Sequence, residues 1–177
     1  MKQHFSLVFT LALLMAVSFG CKVGADDPAT LASRDSRLMG DWKLTAVVDS
    51  VIDINALGTF VTSYSYDGTI LTRTSPFGTS TDSYTLLVSI AKGGVLTTTE
   101  IENGDIKTGV DYWEWMGNDK NKSQVLLNDQ SMVSGIWDVQ RLASKELILY
   151  RHTMETNVNS GSLESREETM RLTFIAD

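Results

Sequence analysis

The chain has 177 residues, a formal charge of -7 and one cysteine. That length bounds it to a single domain able to bury a real core, and the lone cysteine excludes an internal disulfide. An acidic balance, with a pI of about 4.8, excludes the clustered Lys and Arg that nucleic acid or an anionic lipid surface attracts; it is read as solubility.

Lys2 supplies a positive start, residues 5–17 form a short, mostly apolar run, and Ser18-Phe19-Gly20 sets small residues at the first and third places before Cys21. A spanning helix needs about 20 apolar residues, so this run reads as a secretion signal over residues 1–20. The segment resembles the lipobox of bacterial lipoproteins, in which the cysteine is acylated and becomes the new N-terminus. It departs from that pattern at Ser18, where Leu is usual, and relaxed boxes of this kind resemble those of Bacteroidetes lipoproteins. The expected consequence is lipidation at Cys21 and a membrane partner held through that anchor. The expected address is the cell envelope at the outer membrane, with its periplasmic or surface face left open. The alternative is an ordinary secretory peptide with an incidental cysteine.

Residues 21–30 carry Gly, Pro and Asp without apolar periodicity and read as a flexible tether; the folded domain is expected over 31–177. Residues 29–39 predict one short helix, with Thr30 or Asp35 near its start and Gly40 as its stop. From Trp42 onward, Val, Ile, Thr and aromatic residues recur in short runs between Gly, Asn, Asp and Ser clusters. These predict strands at 42–48, 59–66, 69–74, 84–91, 95–100, 111–116, 124–127, 136–142, 146–154 and 168–175. Asp67-Gly68, Gly93-Gly94 and Gly117-Asn118 mark turns, and residues 157–162 read as a longer polar loop. Met170, Leu172 and Phe174 alternate with Thr169, Arg171 and Thr173. Many short strands and few helices suit an up-and-down barrel of about eight or more strands or a sandwich of two sheets; short hairpin connections favour the barrel.

Gly40-Asp41-Trp42, opening the first strand after a short helix, resembles the Gly-x-Trp start of lipocalins. Ser65-Tyr66-Asp67-Gly68-Thr69, Tyr112-Trp113-Glu114-Trp115, Trp137-Asp138-Val139-Gln140-Arg141-Leu142 and Leu147-Ile148-Leu149 follow in the order of bacterial lipocalin-like domains. The chain is similar to the lipocalin-like lipoproteins of Bacteroidetes over residues 38–174. The resemblance implies an all-β, antiparallel up-and-down barrel. It also implies that Gly40 and Trp42 close one end with a late arginine packed across the indole, Arg171 by position or Arg141 as second choice.

Catalysis has little to draw on. Beyond the signal there is one histidine, His152, and no thiol besides Cys21. Cys-His chemistry and a zinc site of the usual ligands are therefore not expected, and no Gly-x-Ser-x-Gly elbow is present. His152, alternating with Tyr150 and Met154, reads as a wall residue. The acidic stretch from Glu100 to Asp105 lacks the twelve-residue spacing of a calcium loop and reads as a solvated turn. No catalytic residue, metal or cofactor is expected.

Aromatic residues are the stronger signal. Trp113 and Trp115 share one strand face and Tyr112 takes the other. With Trp137, Tyr64 and Phe60 they are candidates for an apolar pocket holding a small hydrophobic ligand. Against this stands a barrel plugged by its own side chains, serving as a structural or interaction module with an unidentified protein or a glycan.

Overall fold

The computed structural model describes residues 33–117, 122–159 and 162–177; the signal, Cys21 and most of the tether lie outside them. Among the described residues one helix, α1 (Arg34–Leu38), precedes ten strands: β1 (Gly40–Asn55), β2 (Gly58–Tyr66), β3 (Ile70–Ser75), β4 (Gly78–Ile90), β5 (Val95–Glu102), β6 (Asp105–Met116), β7 (Gln124–Asn128), β8 (Gly135–Leu142), β9 (Glu146–Asn159) and β10 (Ser162–Ala176). Each strand pairs antiparallel with the next, and β1 pairs with β10 to close the barrel. The expected up-and-down barrel is thus present.

Alternation decides what faces inward. In β10 the inward set is Met170, Leu172 and Phe174, all buried. In β1 the set changes number. Trp42 and Leu44 are buried, then Val47, Asp49 and Val51, while Val48 is 64% exposed. The change comes from a bulge between Leu44 and Ala46, where Thr45 is the extra residue and its hydroxyl donates to the Thr173 carbonyl at 3.1 Å. A second bulge, between Val139 and Arg141, moves β8 from Trp137 and Val139 to Leu142.

The two ends of the barrel are built from different strands. Gly40 to Lys43 of β1 pair directly with β4, opposite Ile90 to Leu87. Farther along, β2 and β3 are inserted between β1 and β4. The end beside α1 therefore closes with eight strands, a girth that side chains alone can fill. Trp42, Leu44, Leu86, Leu96, Val125, Trp137, Leu149 and Phe174 fill it. At the opposite, wide end β7 and β8 have stopped, leaving the wall open between β6 and β9, and the inward positions turn polar, as at Asp53, Arg73, Glu155 and Arg166.

The helix is shorter than expected. Ser33 caps it, its hydroxyl accepting from the Ser36 N–H at 3.2 Å, and residues 29–32 lie outside the described residues. Residues 157–162 are not a long loop: β9 and β10 stay paired as far as Asn159 opposite Ser162. The arginine expected across Trp42 is also corrected. Arg171 is exposed because it alternates with Met170 and Leu172 and so points outward. Arg141 forms an ion pair with Glu146 at 2.5 Å. Trp42 instead donates its indole N–H to the Leu38 carbonyl at 2.8 Å, so the end of α1 seals it, with Gly40 opening the strand between them.

Candidate functional site

Three levels of the barrel interior carry chemistry. At the plugged end, Trp113 and Trp115 meet edge to face, with centroids 6.3 Å apart and planes at 86°. Such a pair adds about 0.5–1.5 kcal/mol beyond its burial. Trp113 donates its N–H to the Ala91 carbonyl at 2.9 Å. Trp115 donates to Asp35 Oδ1 at 2.6 Å, and Arg34 lies 5.7 Å from its ring centroid. Lys122 reaches both oxygens of Asp35 at 2.7 Å. That hydrogen bond, more than any other contact, holds the Asp35 carboxyl below its ordinary range. Helix α1 is thus pinned against the two indoles. A cleft of about 350 Å³ opens beside them, lined also by Met39, Lys92 and the Gly93-Gly94 turn.

Below the plug lies a polar layer. Arg151 stacks over Trp137 at 4.5 Å, donates to the Ser134 carbonyl at 2.7 Å and pairs with Glu168 at 2.6 Å. Gly135 makes room for it: a Cβ there would stand 2.8 Å from the guanidinium, and its φ of +121° disfavours any side chain. Across the lumen, Tyr84 donates to Glu100 at 2.5 Å, and Tyr66 donates to the Tyr84 carbonyl at 2.8 Å. Burial first, then the Glu100 carboxylate, keeps the Tyr84 phenol protonated well above its ordinary value. Asp49, only 5% exposed, lies between Tyr64 and Met170, and its Oδ1 has no hydrogen-bond partner among the described residues. Burial first, then Glu168, raises its pKa from 3.8 to about 6.

The wide end holds an open cleft of about 520 Å³. Phe60 stacks on Phe77 at 6.2 Å, Arg73 lies 5.8 Å from the Tyr64 ring, and Arg166 stands 3.7 Å from Asp53.

The five pocket candidates therefore share the inner face but not one cavity. Trp113 and Trp115 come together at the closed end. Trp137 is fully buried in the plug, its N–H held by the Val133 carbonyl at 2.7 Å. Phe60 and Tyr64 line the wide end. His152 stands on the outer wall, 3.0 Å from Glu167. The Glu100–Asp105 stretch is the β5–β6 hairpin, and among the described residues no group of three or more His, Cys, Asp or Glu side chains could hold a metal ion. The polar layer went unread in the sequence. Asp49 follows the predicted end of the first strand, and its signal was the inward parity Val47-Asp49-Val51 that the bulge sets.

Comparison of the chain with protein-family models, with curated proteins and with solved structures finds no match.

Proposed function

We propose that this protein is an exported, lipid-anchored barrel of the cell envelope, of the lipocalin-like kind, that binds a small apolar molecule in the cleft beside Trp113 and Trp115. The observation that carries this reading is the 350 Å³ cleft, a volume within the range of small-ligand sites and walled by two indoles. Its position supports the same reading. The chain enters the barrel at the α1 end, so a lipid on Cys21 would tether that end. The eleven residues 22–32 span at most about 40 Å. The cleft would then stand near the lipid surface where apolar molecules dissolve, and the wide end would point away.

The test uses N-phenyl-1-naphthylamine, a neutral apolar fluorophore, with the full chain. Saturable binding in the micromolar range, about -8 kcal/mol, is expected, with Trp115→Ala weakening it at least tenfold and Phe60→Ala leaving it unchanged. Equal binding by the wild type and Trp115→Ala would overturn the site. Separately, Cys21→Ser is expected to release the protein from washed membranes; retention would overturn the anchor.

A second reading, an interaction module, is favoured by one observation: the wall of the wide end is incomplete between β6 and β9.

A further inference from the structure

Two strands of the barrel stop halfway along it. β7 pairs with β6 only from Tyr112 to Met116, and β8 pairs with β9 only from Leu147 to Tyr150. β6 begins seven residues before Tyr112 and β9 runs nine residues past Tyr150. Residues 105–111 therefore pair with β5 on one side, and no described residue pairs with them on the other. A free strand edge presents a row of backbone donors and acceptors ready to template another strand. This one is long, regular and without proline, and its outward side chains Ile106 and Val110 are 69% and 70% exposed.

The edge also has a cleft beside it, about 430 Å³, running along residues 107–111 and bounded on its far side by residues 129–131. Its charged lining is Glu100, Asp111 and Asp129 against Lys107, an acidic balance. Three groups are held in place from within: Glu100 by Tyr84, Asp111 by Asn128 Nδ2 at 2.7 Å, and Asp129 by the Ser131 backbone and hydroxyl.

We propose that the 105–111 edge of β6 is a docking site for an extended, basic segment of a partner polypeptide, which adds to the sheet as a strand. Main-chain bonds would supply affinity, and alternate side chains would supply selectivity. Those turned inward would be Lys or Arg, meeting Asp111, Asp129 and Glu100. Those turned outward would be apolar, continuing the surface of Ile106 and Val110. A second copy of this chain suits the edge poorly. Antiparallel self-pairing about Thr108 sets Asp105 opposite Asp111 twice, and directly opposed like charges destabilise. The chain's own tether carries Asp26 and Asp27 against the single cation Lys22, a net acidic segment. The proposal does not depend on the Trp113–Trp115 cleft.

The probe is a capped eight-residue peptide of alternating Lys and Val, with two controls: the same peptide with a central proline, and alternating Glu and Val. Backbone amide NMR of the full chain is expected to show saturable shifts and slowed amide exchange centred on residues 105–111. Affinity should fall at least tenfold for either control peptide and for Asp129→Lys. Lys107→Glu, which adds acid without touching the residue 129–131 loop, should tighten binding severalfold. Four results would overturn the proposal: no binding at millimolar peptide, equal binding of the proline peptide (adsorption by charge alone), shifts centred on β9 instead, or dimerisation through 105–111 without peptide.

Discussion

Asp49 shows how much one side chain can say about its surroundings. Its carboxyl is raised from 3.8 to about 6 by burial first and the Glu168 charge second. Because the folded state holds the proton more tightly than the unfolded chain, native stability falls as pH rises from about 4 to about 6. At neutral pH the protein carries a buried charge with one unpartnered oxygen, which costs about 3 kcal/mol. Asp49→Asn is therefore expected to flatten that slope and raise stability at pH 7.5 by about 1–2 kcal/mol. Urea melts of both proteins at pH 4 and pH 7.5 check this; an unchanged slope in the variant would show that Asp49 does not titrate in that window. The same residue marks a limit of sequence reading. Inward-facing Asp49 looks like the end of a strand when only apolar residues are counted, and Arg151, inside the predicted 146–154 strand, carries no apolar signal of its inward direction. Arg171 looked like a core partner by order along the chain, yet its own alternation with Met170 and Leu172 turned it outward.

At the scale of elements, the predicted strands failed in one direction. Each of the ten exists, and several are longer than expected. The missed pieces include residues 49–55, 78–83, 105–110 and 155–159. They share a cause: at the wide end the inward side chains are polar, so the apolar rhythm that marks a half-buried strand disappears while the ladder continues. The turns behave differently, because backbone geometry rather than burial selects their residues. Asn103 and Gly104, with φ of 52° and 91°, make the two-residue turn between β5 and β6 that needs positive φ twice. A Cβ on Gly104 would meet nothing within 4 Å, so Gly104→Ala is expected to cost only the backbone strain, about 1–2 kcal/mol. Gly135→Ala adds to that strain an encounter with Arg151, so it is expected to cost more than Gly104→Ala and to loosen the guanidinium from Trp137. Chemical denaturation ranks the pair. Equal costs would mean that Arg151 moves aside freely.

For the whole molecule, the exchange of β7 and β8 at one end for β2 and β3 at the other divides the barrel into a dry half and a wet half. The candidate aromatics were visible in the sequence, but their separation was not. It depends on the direct β1–β4 pairing, which no local pattern announces. Stability should follow the same division. Amides of 42–47, 86–90, 125–127, 147–149 and 172–174 sit around the buried plug. They are expected to exchange only through global unfolding, whereas those at 53–61, 73–80 and 103–110 open locally at lower free energy. Hydrogen exchange followed by mass spectrometry resolves the two sets; uniform protection from end to end would contradict a plug-centred barrel.

The closing seam joins the two ends of the fold. Trp42 stands opposite Ala176, and the Asp177 N–H donates to the Asp41 carbonyl at 3.0 Å. The barrel is thus a ring in which the break in the chain occupies one place among several equivalent hairpin positions. Circular permutation follows from this. A chain joined by a linker from Asp177 back to the start of α1, and cut open between Asn103 and Gly104, retains every ladder of the ring. It exchanges one tight turn for a designed connection.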